Sequence, residues 1–154
     1  MTTYRRSVWV DAPLERVWAF HSTIAGLRAL TPALLGLQVV AIRGDDDGTL
    51  VTGSEIDLRM RPLGVLPASA WTSVITDREA SSQRCWFIDV MRGGPFDHWQ
   101  HVHTFEAVDG GTRIEDVVTV RLGGPLAPLV SPAALIGLAP MFRYRHGQTR
   151  TQLE

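Results

Sequence analysis

His101 and His103 stand one residue apart in the stretch Trp99-Gln100-His101-Val102-His103-Thr104-Phe105. A spacing of two puts both imidazoles on one face of an extended strand, because successive strand side chains alternate. Trp99 and Phe105 share that face, and a face ending in large aromatics points inward. Asp116 lies on a later segment whose same-face neighbours Ile114, Val118, Val120 and Leu122 are apolar, so it is a carboxylate on an inward face. Asp89, in Phe87-Ile88-Asp89, is a second candidate, although both faces of its segment are apolar enough to leave its facing open. Imidazole and carboxylate held together inside a fold can act as general acid and base. They can also anchor the polar end of a bound molecule. A metal would need three or four ligands.

The remaining histidines supply no obvious further ligand. His98 takes the face opposite the pair, His21 reads as a buried face residue of an early helix, and His146 as a residue of a helix C-terminus. No metal is therefore expected. Nucleophile motifs, Gly-rich phosphate loops and cofactor fingerprints are missing from the chain, so no cofactor is expected either. Cys85 is the one cysteine and reads as a small buried hydrophobe. Lys is absent, which removes Schiff-base chemistry.

The elements that must position these groups are legible from period and punctuation. Tyr4–Val10 alternates and is rich in β-formers, which predicts a strand. Asp11-Ala12-Pro13 predicts a helix start, with Asp11 or Ala12 as cap, and Leu14, Val17, Trp18 and His21 form one helical face. A second short helix is predicted over about Thr23–Leu30. Six strands follow at about Leu37–Arg43, Leu50–Arg61, Ala68–Asp77, Arg84–Arg92, His98–Val108 and Thr112–Leu122. The last element is a helix with Ser131 as N-cap and Pro132 in its first turn, a core stripe of Leu135, Leu138 and Phe142, and a kink at Pro140. Arg143, Arg145, His146 and Arg150 make its far end polar. This order predicts an α+β fold: a seven-stranded antiparallel meander curled around one long C-terminal helix, with two short helices after the first strand.

At 154 residues, 45% apolar and 20% charged, the chain is expected to form one domain over residues 1–154 with a full core. A net charge of -1 argues against nucleic acid as a partner. Pro125, Pro128, Pro132 and Pro140 argue against a membrane span in the uncharged stretch 122–142. The N-terminal residues lack the apolar run of a signal peptide, which predicts a cytoplasmic protein. Oligomeric state is not legible.

The stretch GGPFDHWQHVHTFEAVDGGTRIEDVV resembles the polyketide cyclase/dehydrase-like branch of the START/Bet v 1 helix-grip superfamily. Its pattern is a Gly-Pro-aromatic turn, Trp-x-His-x-His-x-Phe, Gly-Gly-Thr, and an Asp on the final strand. VDAPLERVWAF, Trp71–Thr76 and MFRYRH are similar to the same branch. The resemblance implies the same helix-grip fold and favours Phe87 and Asp89 facing inward; it implies no metal. It also implies binding of a small hydrophobic or amphipathic molecule, lipid- or polyketide-like, between sheet and helix. The candidate ligand-binding residues are Trp71, Phe87, Asp89, Trp99, His101, His103 and Asp116, with Leu138 and Phe142 from the helix. A cofactor-independent cyclase or dehydratase using the inward His and Asp is the alternative, with no firm catalytic residue. A protein- or membrane-contact module is a third.

Two further expectations concern geometry. Alternate connections of a meander lie at opposite ends. That gathers the apolar loops 62–67, 93–96 and 123–130 at one end, as a pocket mouth or contact surface. Taking Gly110-Gly111 as the hairpin turn pairs Asp109 with Thr112 and sets His103 opposite Val118, diagonal to Asp116. On this basis His103 and Asp116 are predicted to interact.

Overall fold

The computed structural model describes residues 1–125 and 127–154, with side chains for 1–125 and 136–154. Strand β1 (Thr2–Val10) leads into the short helices α1 (Leu14–His21) and α2 (Ile24–Ala29). Six further strands follow: β2 (Leu37–Arg43), β3 (Glu55–Met60), β4 (Ser69–Ala80), β5 (Arg84–Gly93), β6 (Phe96–Val108) and β7 (Gly111–Leu122). Helix α3 (Ala127–Leu153) ends the chain. All pairings are antiparallel, in the order β1-β7-β6-β5-β4-β3-β2, so β1 crosses over to join the last strand. Among the described residues no helix is long and apolar enough to cross a membrane.

Several local expectations are corrected. Pro13 occupies the N-cap position of α1 in extended conformation, and no side chain caps that helix, neither Asp11 nor Ala12. Thr23 does cap α2, its Oγ1 accepting from Gly26 N at 3.1 Å. The third strand starts at Glu55, not Leu50. Leu50 N instead donates to Ser22 O at 2.9 Å, and Val51 N to Ser54 Oγ at 2.8 Å, so the strand pattern breaks here before Gly53 and Ser54 bond to Ile75 of β4. Helix α3 begins at Ala127, ahead of Pro132, and continues through Pro140. The expected cap at Ser131 and the stripe position Leu135 lie outside the described side chains.

The β6–β7 turn also differs. Val108 pairs with Gly111, and the turn residues are Asp109 and Gly110, at φ 52° and 80°. Positive φ at both positions is the type I′ geometry that Asp-Gly favours. Gly111 is instead a strand residue forced by crowding: a Cβ there would stand 2.4 Å from Val10 O and 2.5 Å from the Trp9 ring. The pairing partners shift by two, which leaves every side chain on its expected face but changes its neighbours. His101 is opposite Val118, His103 opposite Asp116, and Phe105 opposite Ile114. On the other side Asp89 is opposite His101.

The inward faces of these strands and α3 form the core. Phe105, Ile114, Val118, Val120 and Phe142 are fully or almost fully buried. The buried stripe of α3 runs Leu138, Phe142, His146, Thr149, Leu153. The outer face of β7 is charged, with Arg113 paired to Glu106 at 2.6 Å and Glu115 to Arg5 at 3.2 Å.

Two glycine substitutions test this packing in opposite directions. Gly111→Ala should destabilise the protein by about 1–3 kcal/mol, as overpacking does. Gly137→Ala, on an exposed turn of α3 with open space around the position, should stabilise by roughly 0.5–1 kcal/mol. Urea unfolding of both variants measures the two signs.

Candidate functional site

A cavity of about 310 Å³ lies between the concave sheet and α3. Strand β4 contributes Trp71, Ser73 and Ile75 to its wall, and β5 contributes Phe87, Asp89 and Met91. These are the alternating positions of two paired strands, so both present the same face. Strand β6 adds Trp99, His101 and His103, while α3 closes the space with Leu138, Met141, Phe142 and Arg145. Eight of the nine candidate residues therefore line one cavity. Asp116 lies behind the wall and reaches it through His101. Of the apolar end loops, Pro95 and Phe96 reach the cavity, whereas Leu63, Val65 and Leu66 stay exposed. A wider, shallower concavity at the polar-loop end, bounded by Ser81–Gln83 and Asp109–Gly111, holds none of the imidazoles.

The polar groups form one continuous network. Carboxylates accept and do not donate, so the imidazole nitrogens are the donors. His101 Nε2 donates to Asp116 Oδ1 at 2.7 Å, and His146 Nε2 to Asp116 Oδ2 at 2.6 Å. His103 Nε2 donates to Asp89 Oδ2 at 2.6 Å. The two remaining nitrogens of the strand pair point the other way: His101 Nδ1 is 3.7 Å from Asp89 Oδ2, and His103 Nδ1 is 3.4 Å from Asp116 Oδ1. The latter contact lies in ion-pair range but makes no hydrogen bond. Both imidazoles thus bridge the same two carboxylates. They are close in space, ring centroids 3.5 Å apart, and Phe87 stacks on His103 at 3.9 Å.

Burial opposes charge on all of these groups, and hydrogen bonding decides where charge survives. Burial alone would raise the Asp116 carboxyl, but its three histidine neighbours hold it well below the usual carboxylate range. Asp89 is also lowered, burial being outweighed by His103 and His101. Burial lowers His101 to about 4, reinforced by the neighbouring His103 charge and only partly offset by Asp116. For His103 the two carboxylates outweigh burial and raise it. The carboxylates thus favour charge on His103, whereas burial favours the neutral form of His101, whose Nε2–H bond to Asp116 leaves its Nδ1 lone pair facing Asp89. Arg145 is lowered by burial, against the pull of Asp116 and Asp89. Among the described residues no carboxylate lies within 4 Å of it.

The predicted contact of His103 with Asp116 is present as direct cross-strand neighbours, not diagonal ones, while the strongest bonds join His101 to Asp116 and His103 to Asp89. The expectation of no third imidazole nearby is corrected by His146. It follows Leu138 and Phe142 at i+8 and i+4, so extending their helical stripe past Pro140 would have placed it inward. Arg145 and His21, both on the cavity wall, were likewise read as a polar helix end and a core residue. Asp89, His101 and His103 each offer a donor atom, all within 4.8 Å of one another.

Comparison with known proteins places this chain in a family. A family profile described as polyketide cyclase / dehydrase and lipid transport matches residues 1–154. The chain belongs to that family. Solved structures agree on the fold. A START superfamily protein from Mycobacterium smegmatis superposes with a TM-score of 0.66 at 14% identity, covering 97% of this chain and 98% of that one. A protein from Thermus thermophilus gives 0.66 at 18% identity, with 98% and 99% covered. Ara h 8.0201, a Bet v 1-type protein, gives 0.61 at 18%, with 97% and 98% covered. No curated protein matches the chain. This member of the polyketide cyclase / dehydrase and lipid transport family therefore has the START/Bet v 1 helix-grip fold.

His21 makes the network's surroundings sensitive to acid. Its Nδ1 donates to Val17 O at 2.9 Å, and burial lowers it to about 3. Between the unfolded value of about 6.5 and that folded value, the unfolded chain binds a proton that the folded chain does not. Stability consequently falls as pH drops below about 6.5, by about 2 kcal/mol between pH 7 and 5 for this residue alone. His21→Asn, which keeps a donor near the Nδ1 position, should remove that share. Urea melts at pH 7 and 5 measure it, and an unchanged pH dependence in the variant would contradict the assignment.

Proposed function

We propose that this protein binds a small hydrophobic or amphipathic molecule in the cavity between sheet and α3, with its polar end at Asp89, His101 and His103. The observation that carries this reading is the segregation of the lining. Leu138, Met141, Phe142, Trp71, Ile75 and Phe87 surround the space, while Asp89, His101 and His103 stand together on the sheet side and Arg145 and His21 enter from helices. A mostly apolar cavity with a few convergent polar groups is the usual form of a ligand site. At about 310 Å³ the space is at the small end of the range of roughly 300–1,000 Å³ for such sites. It suits a compact ring system or a medium-length chain better than a two-chain lipid. Membership of a family described by polyketide cyclases, dehydrases and lipid transport supports the same ligand class.

A second reading is cofactor-independent cyclisation or dehydration. One observation favours it: the hydrogen-bonded His103–Asp89 pair stands on the cavity wall, where an imidazole can give a proton and its carboxylate can take one. Product formation from a poly-β-ketone substrate, lost in His103→Gln while binding persists, would favour catalysis over carriage.

The native protein should bind 1-anilinonaphthalene-8-sulfonate stoichiometrically, and compact aromatic or medium-chain ligands should displace it. A ligand at 100 times its Kd should stabilise by about 2.7 kcal/mol, which for a chain of this size is about 5–10 °C in Tm. Leu138→Trp fills the space from α3 and should abolish probe binding while the protein still melts cooperatively. Absence of probe binding and of any Tm shift across such a panel would overturn the reading. Native mass spectrometry of protein purified from its own host would identify a retained ligand directly.

A further inference from the structure

We propose that Asp89, His101 and His103 form a site for one divalent first-row transition cation of the zinc type, held by one carboxylate oxygen and two imidazole nitrogens and open toward the cavity. This inference does not depend on the ligand-binding reading. Three donor atoms converge: Asp89 Oδ2, His103 Nε2 at 2.6 Å from it, and His101 Nδ1 at 3.7 Å from it. Tetrahedral ligands with bonds of about 2.0–2.1 Å are about 3.3 Å apart. The two observed separations lie on either side of that value, one shorter by about 0.7 Å and one longer by about 0.4 Å, and all three donor atoms lie within 4.8 Å of one another, so side-chain rotations of under about 1 Å bring them onto one cation. The cation takes the place of the proton now shared between His103 Nε2 and Asp89 Oδ2, and uses the lone pair already present on His101 Nδ1.

The surroundings have the form that metal-binding histidines require. A ligating imidazole is generally fixed by a carboxylate on its other nitrogen. Here the other nitrogens of both rings face one carboxylate: His101 Nε2 at 2.7 Å and His103 Nδ1 at 3.4 Å from Asp116 Oδ1. Asp116 is itself held by His146 Nε2 at 2.6 Å. His103 Nδ1 and His146 Nδ1 are buried without partners. Three protein ligands on the wall of a cavity leave a coordination position for water or a polar ligand atom, the arrangement of an open zinc site. Two imidazoles and a carboxylate suit Zn²⁺, Co²⁺ or Fe²⁺ and select against Ca²⁺ and Mg²⁺, which prefer all-oxygen shells.

The test uses the full chain stripped with chelator and titrated with Co²⁺, then Zn²⁺. One Co²⁺ per chain is expected, with visible d–d absorption that one equivalent of Zn²⁺ abolishes and with a rise in Tm. X-ray absorption of the zinc form should show two imidazoles and at least one oxygen, without sulfur. Asp116→Asn should weaken binding about 10–100-fold, as loss of a supporting carboxylate does, and Asp89→Ala should weaken it further. His98→Gln, on the outer face, should bind like the parent. Asp89 has 16% of its side chain exposed, so its variant folds more readily than one at Asp116, and circular dichroism checks both. Absence of stoichiometric binding would overturn the site, as would binding that survives Asp89→Ala and His103→Gln, or a spectrum containing sulfur or three imidazoles.

Discussion

The carboxylate of Asp116 is the constraint around which this fold is organised. It is buried to 5% exposure yet accepts hydrogen bonds from His101 on the neighbouring strand and from His146 on the terminal helix. An unpaired buried carboxylate is costly enough that removing one partner of such a group typically loses about 3–5 kcal/mol. The helix can therefore dock only in the rotation and axial position that bring His146 to Asp116. That position also sets Phe142 against His101, ring centroids 5.1 Å apart, and carries Leu138 and Arg145 onto the cavity wall. One polar contact thus fixes the helix that apolar packing alone would allow to slide.

The sheet side of the network is fixed independently. Strands β5, β6 and β7 are adjacent, and each contributes one layer: Asp89, then the histidine pair, then Asp116. Because pairing in a sheet is quantised, a single turn determines who meets whom. The Asp109-Gly110 turn places His103 directly across from Asp116, and the β5–β6 pairing places His101 directly across from Asp89. The strongest bonds then run along the diagonals, His101 to Asp116 and His103 to Asp89. Diagonal neighbours lie about 7–8 Å apart at the backbone, which is the reach of an imidazole meeting a carboxylate, whereas direct neighbours are too close for the rings to extend toward each other.

Most of this was legible in the sequence, and the parts that were not share a cause. Period-2 alternation sorts Trp99, His101, His103 and Phe105 from their neighbours without any knowledge of the partner strands, and the structure puts all four on the inner face. The seven strands and their order of appearance follow from the same alternation and from Gly- and Asp-rich turns. Pairing is different, because Asp109-Gly110 and Gly110-Gly111 are both acceptable turn dipeptides. Choosing between them needs the Trp9 ring and Val10 carbonyl of β1, which are remote in sequence. Leu50 looks like the start of a strand but bonds to Ser22, another long-range contact. His146 is obscured differently: Arg143, Arg145 and Arg150 surround it in sequence, and the local pattern is polar. Only the stripe from Leu138 through Phe142 identifies its direction, and Pro140 makes continuing that stripe an unnatural step.

The cost of this arrangement argues that it is not merely structural. Buried ionised groups are often replaceable by apolar residues of similar volume with no loss, or even a gain, of stability. The positions next to this network show that the fold accepts apolar residues there: Val118 and Phe105 flank the pair's partners on the same inner face, and both are fully buried. Two carboxylates, three imidazoles and a guanidinium nonetheless stand together, on three adjacent strands and the helix they grip, and not on loops. Side chains on such elements hold their positions to the tolerance that chemistry or specific recognition needs. Groups whose environments push their protonation apart, here His101 lowered beside His103 raised, mark functional sites more often than structural ones. The network therefore belongs with the cavity that it borders, and the stability it forgoes is best understood as the condition for placing donors, acceptors and lone pairs on the lining of a mostly apolar space.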